Sequence, residues 1–577
     1  MLQDVQIIET DVLIVGGGLA GCWAAIAAKE VLDRVTLVDK AMVGRSGAST
    51  FAAGVILAPQ ADDNLDEWAE EIVERGEYMN DQEWVRATLE EQIVRLAQME
   101  SWGFPFERGA DGKLARIIGR GHQRTRMFMF HGHHLMDEMR KQVLARGIEV
   151  KERFMITDLL FDSRKAEPQL AGAIGCHTRE GHWVVFRAPS VLLASGHIGL
   201  RDGAGYVDNI SGDGQAMAYR GGAELTDMEF GTQCNITLWR KNYKAAGINM
   251  IQGNGSYIIN AKGERFMEKY DPLLKERSKT YTLGAAFCKE ALEGRGPIYV
   301  DMRHLKPEVF EKFNRVIPKT MQVFKAAGID PSRDLVECTP SVHSPKTTSG
   351  GAGISVDLQC RTSIPGLFAA GAVNKMGPHG TYSVGGVNLA YCSVSGHRGG
   401  KSAADFAQRS QSRPEPDLDA VKAYISSLPI PRGGSVEEPE VTKEIKLATA
   451  PAQYSFFKHA RRIQATLTRL EEIEKSLLPS LAVRDPHHHV KALELRNYLD
   501  CAKLTYKAAL LRKESRGSHF REEFPNRDDQ QWLKWIRVKK VDNQDKFYME
   551  PIPIDKYTIK PKQLRPVPFP VQYFFEK

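Results

Sequence analysis

Three glycines near the N-terminus have the spacing of a phosphate-binding turn. Gly16, Gly18 and Gly21 follow the apolar run VLIV (12–15) and lead into a stretch of small residues. At this spacing the first glycine makes a tight turn, the second admits a pyrophosphate to the backbone, and the third lets a helix pack on the strand. The positive N-terminal end of that helix then faces the phosphates. The sequence therefore predicts a dinucleotide-binding turn.

An acidic residue at the end of the second strand strengthens this prediction. The run RVTLVDK carries Asp39, about 20 residues beyond the turn, where a carboxylate would bind the two ribose hydroxyls. A lone glycine pattern predicts only a tight turn. Strand, turn, helix, strand and acid in this order predict a site for NAD or FAD.

Composition and charge exclude several classes of protein. The chain has 577 residues, 42% of them apolar and 26% charged, with a net charge of +6. This length predicts several domains with substantial cores. No basic-aromatic tract predicts nucleic-acid binding, and no apolar run approaches the ~20 residues of a membrane span. Without a visible secretory leader, we expect a cytoplasmic protein.

The cysteines and histidines do not form a pattern typical of a metal site. The eight cysteines are scattered, without a C-x-x-C pair, so we expect reduced core thiols and no iron–sulfur or zinc site in this chain. The histidines at 131–134 and at 487–489 lack the context of a zinc site. We expect the first group to be mainly structural and the second to be exposed.

The coarse pattern predicts an α/β fold with an insertion. Three strand-like runs between 152 and 196 have the pattern of a meander that returns to the main sheet. The alternation of strands and helices is lost after 224 and resumes near Gly371. The predicted units are a nucleotide-binding domain (1–223 and 349–410), an inserted domain (224–348), a helical domain (411–542) and an extended proline-rich tail (543–577).

A long segment near the C-terminus resembles a known family. The run ESRGSHFREEFPNRDD (514–529), within residues 495–532, is similar to the helical domain of succinate dehydrogenase and fumarate reductase flavoproteins. The alternative interpretation is a surface loop of mixed charge. RTRMFMFHGHHL, GRGPIYVDMRHL and IPGLFAAGAV match the same family in the same order. The resemblance implies a Rossmann-like FAD-binding domain, an inserted α+β capping domain, a helical domain, and an iron–sulfur partner subunit.

The chain departs from this family where it binds its usual substrate. Ser46 and Gly47 stand where many members carry a histidine bonded to flavin, so we expect noncovalent FAD. Cys234 and Asn235 stand where a histidine grips a dicarboxylate. The loop GPHGTYSVGGVNLA (377–390) lacks the family's arginine. We therefore do not expect succinate or fumarate as the substrate.

Some of these segments look more like the alpha subunit of adenylylsulfate reductase. RSGAS, GRGHQRTRMFMFHG and PHGTYSVGG resemble its pattern, in which a histidine of the last loop faces flavin and substrate. That histidine is His379 here.

The resemblance also implies two further catalytic residues. Arg277 stands where the family carries its catalytic arginine, although an ion pair with Glu276 at a helix start is the structural alternative. His343 matches a substrate-facing histidine, although a lone histidine is often only hydrogen-bonded in a core.

Several residues are predicted to bind the cofactor. Asn388 and Leu389 should begin a helix whose N–H groups face the flavin carbonyl end. The resemblance implies that Asp213 is an acid on the cofactor side of the site. A role as a turn residue is an equally good interpretation. Ala372 replaces the family's usual acid on the ribityl chain. The complete predicted set is Gly16, Gly17, Gly18, Gly21, Asp39, Lys40, Arg45, Ser46, Gly47, Ser195, Gly196, Asp213, Gly371, Asn388 and Leu389.

The leading functional hypothesis is an FAD-dependent catalytic subunit of a heteromeric oxidoreductase. It would carry out two-electron redox on a small anion, such as a sulfur oxyanion, an unsaturated carboxylate or a thioester, and exchange electrons with an iron–sulfur partner. The complex would be at most peripheral to a membrane. The alternatives are a stand-alone flavin dehydrogenase and a flavoprotein electron-transfer module.

Overall fold

The computed structural model describes most of the chain between residues 5 and 568. The described residues are 5–52, 54–119, 122–130, 132–164, 168–200, 210–238, 248–347, 351–382, 384–410, 413–428, 434–562 and 567–568.

The first part of the nucleotide-binding domain begins with the predicted strand, turn and helix. Its strands are β1 (Gln6–Glu9), β2 (Val12–Val15), β3 (Val35–Asp39), β4 (Val55–Leu57), β5 (Arg116–Ile117), β6 (Met127–Met129), β7 (Glu149–Glu152), β8 (Phe154–Asp162), β9 (Gln169–His177), β10 (Trp183–Arg187) and β11 (Ser190–Leu193). Its helices are α1 (Leu19–Lys29), α2 (Leu65–Arg75), α3 (Gln82–Ser101), α4 (Gly132–Ala145) and α5 (Asp213–Arg220).

The inserted region and the returning segment follow in chain order. The strands are β12 (Leu225–Thr226), β13 (Gln233–Leu238), β14 (Tyr257–Ile259), β15 (Ile298–Asp301), β16 (Val336–His343), β17 (Gly353–Ile354) and β18 (Leu367–Ala369). The helices are α6 (Ile248–Gly253), α7 (Met267–Tyr270), α8 (Thr280–Leu292), α9 (Pro307–Val316), α10 (Pro318–Ala326) and α11 (Val387–Arg409).

The C-terminal part is mainly helical and ends in a hairpin. Its helices are α12 (Leu418–Ser427), α13 (Glu438–Thr449), α14 (Ala452–Ser455), α15 (Ala460–Glu472), α16 (Pro486–Leu511) and α17 (Asp529–Trp532). Its strands are β19 (Phe457–Lys458), β20 (Phe520–Arg521), β21 (Asn526–Arg527), β22 (Lys534–Val541), β23 (Gln544–Pro551) and β24 (Val567–Pro568).

A five-stranded parallel sheet organises the nucleotide-binding domain. Its order is β18-β11-β2-β3-β7, with Leu13 between Val191 and Thr36. All four residues of β2 are buried, as expected for a parallel strand covered on both faces. The predicted meander is confirmed, because β8, β9 and β10 pair antiparallel and β11 then joins the main sheet.

Close helix packing fixes the second helix of the site. A Cβ on Gly396 would lie 2.4 Å from Ala20 O, and one on Gly400 would lie 2.1 Å from Ala24 O. Helix α11 therefore approaches α1 at a distance that only glycine permits. In this contact the tenth residue of α11, Gly396, meets the second residue of α1, Ala20, so α11 begins about eight residues (~12 Å) before the start of α1 along the shared direction.

The inserted domain has its own sheet, of order β13-β16-β15-β14, and its own apolar core. The short strand β12, by contrast, pairs with β17 and β22 of the flanking domains. The insertion as a separate sheet thus begins near 233 and not at 224. The predicted boundary at 542/543 falls in the turn of the β22–β23 hairpin, so residues 544–551 form a paired strand and not an extended tail.

The burial of the cysteines agrees with the prediction, whereas the burial of one histidine does not. The seven cysteines with described side chains are buried and free, as predicted. The prediction of an exposed His489 is wrong, since its side chain is buried beside the Trp183 ring on the inner face of α16. No helix in the described ranges is long and apolar enough to span a bilayer.

Candidate active site

A deep cleft lies at the carboxyl ends of β2, β3 and β11. It encloses about 1690 Å³, counting space open to solvent. Such a position, beside the ends of parallel strands, is where α/β sheets bind nucleotides. The predicted residues that line it are Gly16, Gly17, Gly18, Asp39, Lys40, Ser46, Gly47, Ser195, Gly196, Asp213, His379, Asn388 and Leu389.

Each glycine of the turn has a separate steric reason. Gly16 has φ +112°, and its Cβ would lie 2.4 Å from Ala194 O. A Cβ on Gly21 would lie 1.8 Å from Gly16 O, so this glycine is needed for packing and does not line the cleft. A Cβ on Gly18 would meet only Ser49 Oγ, at 3.7 Å. The space above Gly18 is therefore open to a ligand, as a pyrophosphate requires.

Two helices begin at the cleft without a side-chain cap. Gly18 precedes α1, and Gly386, with φ +81°, precedes α11. Neither glycine has a side chain that could cap its helix, although Leu19 N, the first N–H of α1, donates to Ser49 Oγ at 3.3 Å. Uncapped helix N-termini favour anions and groups that gain negative charge.

Asp39 closes the loop that follows β3. Its Oδ2 accepts a hydrogen bond from Gly17 N at 2.8 Å. Its Oδ1 accepts from Ala41 N at 2.7 Å and from Ser46 Oγ at 3.1 Å. The carboxylate thus holds the glycine turn and the Ser46 turn together at the wall of the cleft.

Lys40 joins the cleft wall to the helical domain. Its Nζ lies 2.8 Å from Asp213 Oδ2 and 2.8 Å from Glu494 Oε1. Burial alone would lower the pKa of Lys40, but these two carboxylates raise it above its usual value. Burial would likewise raise the pKa of Glu494, and Lys40 and Lys491 instead lower it to about 2. Glu494 belongs to this site although its position in the sequence gives no signal of that.

Besides Gly21, two predicted cofactor residues do not line the cleft. The exposed Arg45 side chain lies 2.6 Å from Asp137, on the outer side of the loop. Gly371 has φ +74° and donates its N–H to Ser395 Oγ at 3.0 Å. Gly371 therefore shapes the turn, while its neighbour Ala372 lines the cleft.

His379 is fully buried in the cleft wall. Its loop is fixed by Asn80 Nδ2, which donates to Pro378 O at 2.7 Å. Tyr382 also lines the cleft, and its hydroxyl lies 2.5 Å from Thr280 Oγ1 at the start of α8. This contact connects the loop to the capping domain.

Of the other two predicted catalytic residues, only Arg277 has a described side chain, and it lies apart from the cleft. Arg277 is exposed at the end of a short turn (Lys275–Arg277), and Glu276 pairs with Arg265 at 2.7 Å. The backbone of His343 pairs with Gln233 across β13 and β16, which brings the Cys234–Asn235 segment beside it. The side chains of His343, Cys234 and Asn235 lie outside the described part of the chain, as does all of His131. The catalytic roles of Arg277 and His343 remain predictions.

Some cleft residues were not predicted. His197, Tyr382 and Cys392 line the cleft. All three stand within three residues of a predicted residue, which was the available signal. Burial raises the pKa of the Cys392 thiol to about 12, so it stays protonated. The predicted Ser195 has a buried hydroxyl without a hydrogen-bond partner.

One group of side chains within the described residues has the composition of a metal site. His177, Glu180 and His182 meet at the turn between β9 and β10. His177 Nδ1 already accepts a hydrogen bond from Glu180 N at 3.0 Å, and the two imidazole rings lie parallel. Parallel rings do not direct their nitrogens at one ion, so this turn is accounted for by its own contacts.

The family comparisons agree with the cleft. Residues 11–389 match the FAD binding domain family, and residues 448–565 match the fumarate reductase flavoprotein C-terminal family. The predictions of FAD and of the fold class are thereby confirmed. The glycine cradle, the two uncapped helices and the free Ser195 hydroxyl fit a dinucleotide of this kind.

Named relatives cover nearly the whole chain. The chain is 32% identical to a subunit of the fumarate reductase (CoM/CoB) of Methanothermobacter marburgensis, over 91% of this chain and 96% of the relative. It is 29% identical to a fumarate reductase flavoprotein subunit of Mycobacterium tuberculosis, over 91% and 94%.

Solved structures show the same fold. A mutant of FrdA from E. coli quinol fumarate reductase has a TM-score of 0.85 at 25% identity, over 96% of this chain and 99% of that chain. Adenylylsulfate reductase from Archaeoglobus fulgidus has a TM-score of 0.77 at 22% identity, over 95% and 96%. The second likeness is one of fold alone.

Proposed function

This chain belongs to the succinate dehydrogenase and fumarate reductase flavoprotein family, and from that premise we propose the function of its cleft. The protein is an FAD-dependent oxidoreductase of this type. We propose that it is the catalytic subunit of a heteromeric enzyme that oxidises or reduces a small anion by two electrons. An iron–sulfur partner subunit would supply or accept the electrons.

One observation carries this proposal. The fully buried His379 and the uncapped N-terminus of α11 belong to the same cleft wall. FAD, when bound there, supplies the two-electron chemistry. The N–H groups at Asn388 and Leu389 would stabilise negative charge, while His379 would hold or transfer a proton at the substrate.

The substrate class follows from the residues at the family's anchor positions. Cys234 and Asn235 replace a histidine, and residues 377–390 contain no arginine. Without these two dicarboxylate anchors, we favour a sulfur oxyanion derivative over succinate or fumarate. The relatives named as fumarate reductases favour a second candidate, an unsaturated carboxylate.

The test begins with protein purified from its own cells. We expect iron to accompany the flavin, acid precipitation to release the flavin, and one substrate of the proposed class to bleach the flavin under anaerobic conditions. A yellow protein without iron would contradict the partner and favour a stand-alone dehydrogenase. Flavin that no small anion bleaches would favour an electron-transfer module.

Variants test the assigned residues. In His379→Gln and Arg277→Ala we expect the flavin content of wild type and at least a tenfold slower bleaching, because each removes a proton donor or a cation proposed to face substrate. Arg333→Ala, an exposed arginine of the same capping domain, is the matched control. Unchanged bleaching in either variant would remove that residue from the catalytic set.

A further inference from the structure

His122 is a buried histidine with one unused nitrogen beside the cleft. Its side chain is almost fully buried, and its Nε2 has no hydrogen-bond partner. Burial lowers its pKa to about 4, so the ring is neutral at neutral pH. A buried polar atom without a partner costs free energy, unless a ligand supplies the partner.

The other ring nitrogen of His122 is held by its own loop. Nδ1 lies 2.7 Å from Thr125 Oγ1, which is fully buried. We assign the Thr125 hydroxyl as the donor to Nδ1, which places the ring proton on Nε2. Nε2 is then a hydrogen-bond donor without an acceptor.

A buried carboxylate fixes this loop in place. Glu71 Oε1 accepts from Gln123 N at 2.7 Å. Glu71 Oε2 accepts from Arg124 N at 2.7 Å and from Thr125 N at 2.8 Å. Three backbone N–H groups on one buried carboxylate hold the ring in a single orientation, which binding to a ligand requires.

The unused nitrogen faces the turn that precedes α11. A Cβ on Gly385 would lie 3.0 Å from His122 Nε2, and Val384, Gly385 and Gly386 all line the cleft. The cleft-lining backbone at Gly385 therefore packs directly against Nε2, and any larger residue at 385 would press on the ring. His379 lies in the loop that leads to this turn.

We propose that His122 is a substrate-binding residue whose Nε2–H donates a hydrogen bond to the anionic head group of the substrate. This inference rests on the proposed function, since it concerns the same cleft. It gives the site a neutral donor that the nucleotide-binding domain itself supplies. Such a donor suits an anion in a chain that lacks the family's arginine in residues 377–390.

The test is a titration of the FAD-loaded protein with two unreactive anions, malonate and sulfate. The visible absorption of the bound flavin reports binding, and chloride keeps the ionic strength constant. His122→Leu removes the donor and should weaken anion binding about 10- to 100-fold, the value of a hydrogen bond to a charged group. His122→Gln retains an N–H near the position of Nε2 and should bind within about threefold of wild type.

A matched control comes from the helical domain. His489 is also buried, has an unpartnered Nε2, and has a pKa lowered by burial to about 4, but it packs on Trp183 away from the cleft. His489→Leu should bind both anions as wild type does. All three variants should retain FAD.

The outcomes separate this inference from the proposed function. If wild type binds an anion and His122→Leu binds it equally well, His122 has no role in recognition, while the proposed function stands. If wild type binds neither anion, the small-anion site and this inference both fail. If His122→Leu loses FAD, it cannot be titrated, and the His122→Gln variant provides the test. Anion binding that is weakened in His122→Gln would overturn the role of the N–H group.

Discussion

Two buried polar regions of this protein differ in whether their polar groups have partners within the chain. The cleft of the nucleotide-binding domain has uncapped helix starts at Gly18 and Gly386 and a partnerless Ser195 hydroxyl. The charge cluster of the C-terminal part consists of Glu229, Arg512, Glu514, Arg516 and Asp529, with side chains that are 0% exposed.

Every member of the charge cluster has an ion-pair partner. Arg512 pairs with Glu229 at 2.6 Å and with Glu514 at 2.9 Å. Arg516 pairs with Glu514 at 2.8 Å and with Asp529 at 2.8 Å. Residues 514–529 are therefore not a surface loop of mixed charge, and that alternative interpretation is wrong. Buried charges paired within the chain hold the fold, whereas a group without a partner that lines the cleft, such as the Ser195 hydroxyl, is open to a ligand.

Glu77 connects the two regions. Its carbonyl accepts from Arg516 Nη1 at 2.8 Å, and its carboxylate accepts from Gly517 N at 3.2 Å. The same carboxylate contacts Lys279 at 3.2 Å and the hydroxyl of Tyr281, both of the capping domain. Asn80, three residues later, holds the His379 loop.

The largest expected effect comes from breaking the charge cluster. Arg516→Met leaves Glu514 and Asp529 buried without this partner, which should lower the free energy of unfolding by about 3–5 kcal/mol. Urea denaturation measures this change in the free energy of unfolding. Arg484→Met, which breaks the exposed Arg484–Glu437 pair, should cost far less, because solvent screens that pair. Equal costs would mean that pairing does not stabilise the cluster.

The next effect comes from filling the cleft. Gly18→Ala places a methyl group in open space, so the apoprotein should unfold as wild type does. FAD should bind about 10- to 100-fold more weakly, as expected for about 1–3 kcal/mol of overpacking against the ligand. Quenching of flavin fluorescence on reconstitution measures this. Gly21→Ala, by contrast, should destabilise the apoprotein because of the 1.8 Å approach to Gly16 O.

A smaller, pH-dependent effect on stability is expected at Glu77, which connects the two regions. Burial would raise the pKa of Glu77, but Lys279, Arg527, Arg516 and Tyr281 lower it to about 2. The stability it contributes is therefore present above its ordinary value of 4.5 and is lost as the pH falls toward 2.

Glu77→Gln should lower the free energy of unfolding by about 1–2 kcal/mol at pH 7. The difference from wild type should shrink between pH 5 and pH 2, as measured by denaturation at each pH. A constant difference would show that the charge of Glu77 is not what stabilises the connection.

The smallest effect is expected at Arg45. Its side chain is 53% exposed and pairs with Asp137 outside the cleft. Arg45→Ala should change stability by less than about 0.5 kcal/mol and FAD affinity by less than about twofold. A tenfold loss of FAD affinity would show that this side chain reaches the cofactor.

Local patterns predicted the nucleotide half of the site well. The spacing of the turn was readable because Gly21 packs on Gly16 within the same unit, although Gly16 also depends on Ala194 in the distant strand β11. The predicted helix start at Asn388 and Leu389 agrees with α11, which begins at Val387. The predictions that rested on resemblance divided, with His379 in the cleft wall and Arg277 on an exposed turn.

The amino-acid sequence by itself determined that the cofactor is a dinucleotide, because strand, turn and helix signals act over a few residues, and its motifs were enough to identify the family. Only the tertiary structure decided which polar groups have partners. Lys40 and Glu494 stand 454 positions apart, and Glu77 and Gly517 stand 440 apart. A charge that is paired in the fold and one that is left for a ligand look alike in sequence, because the partner that distinguishes them arrives from a distant segment.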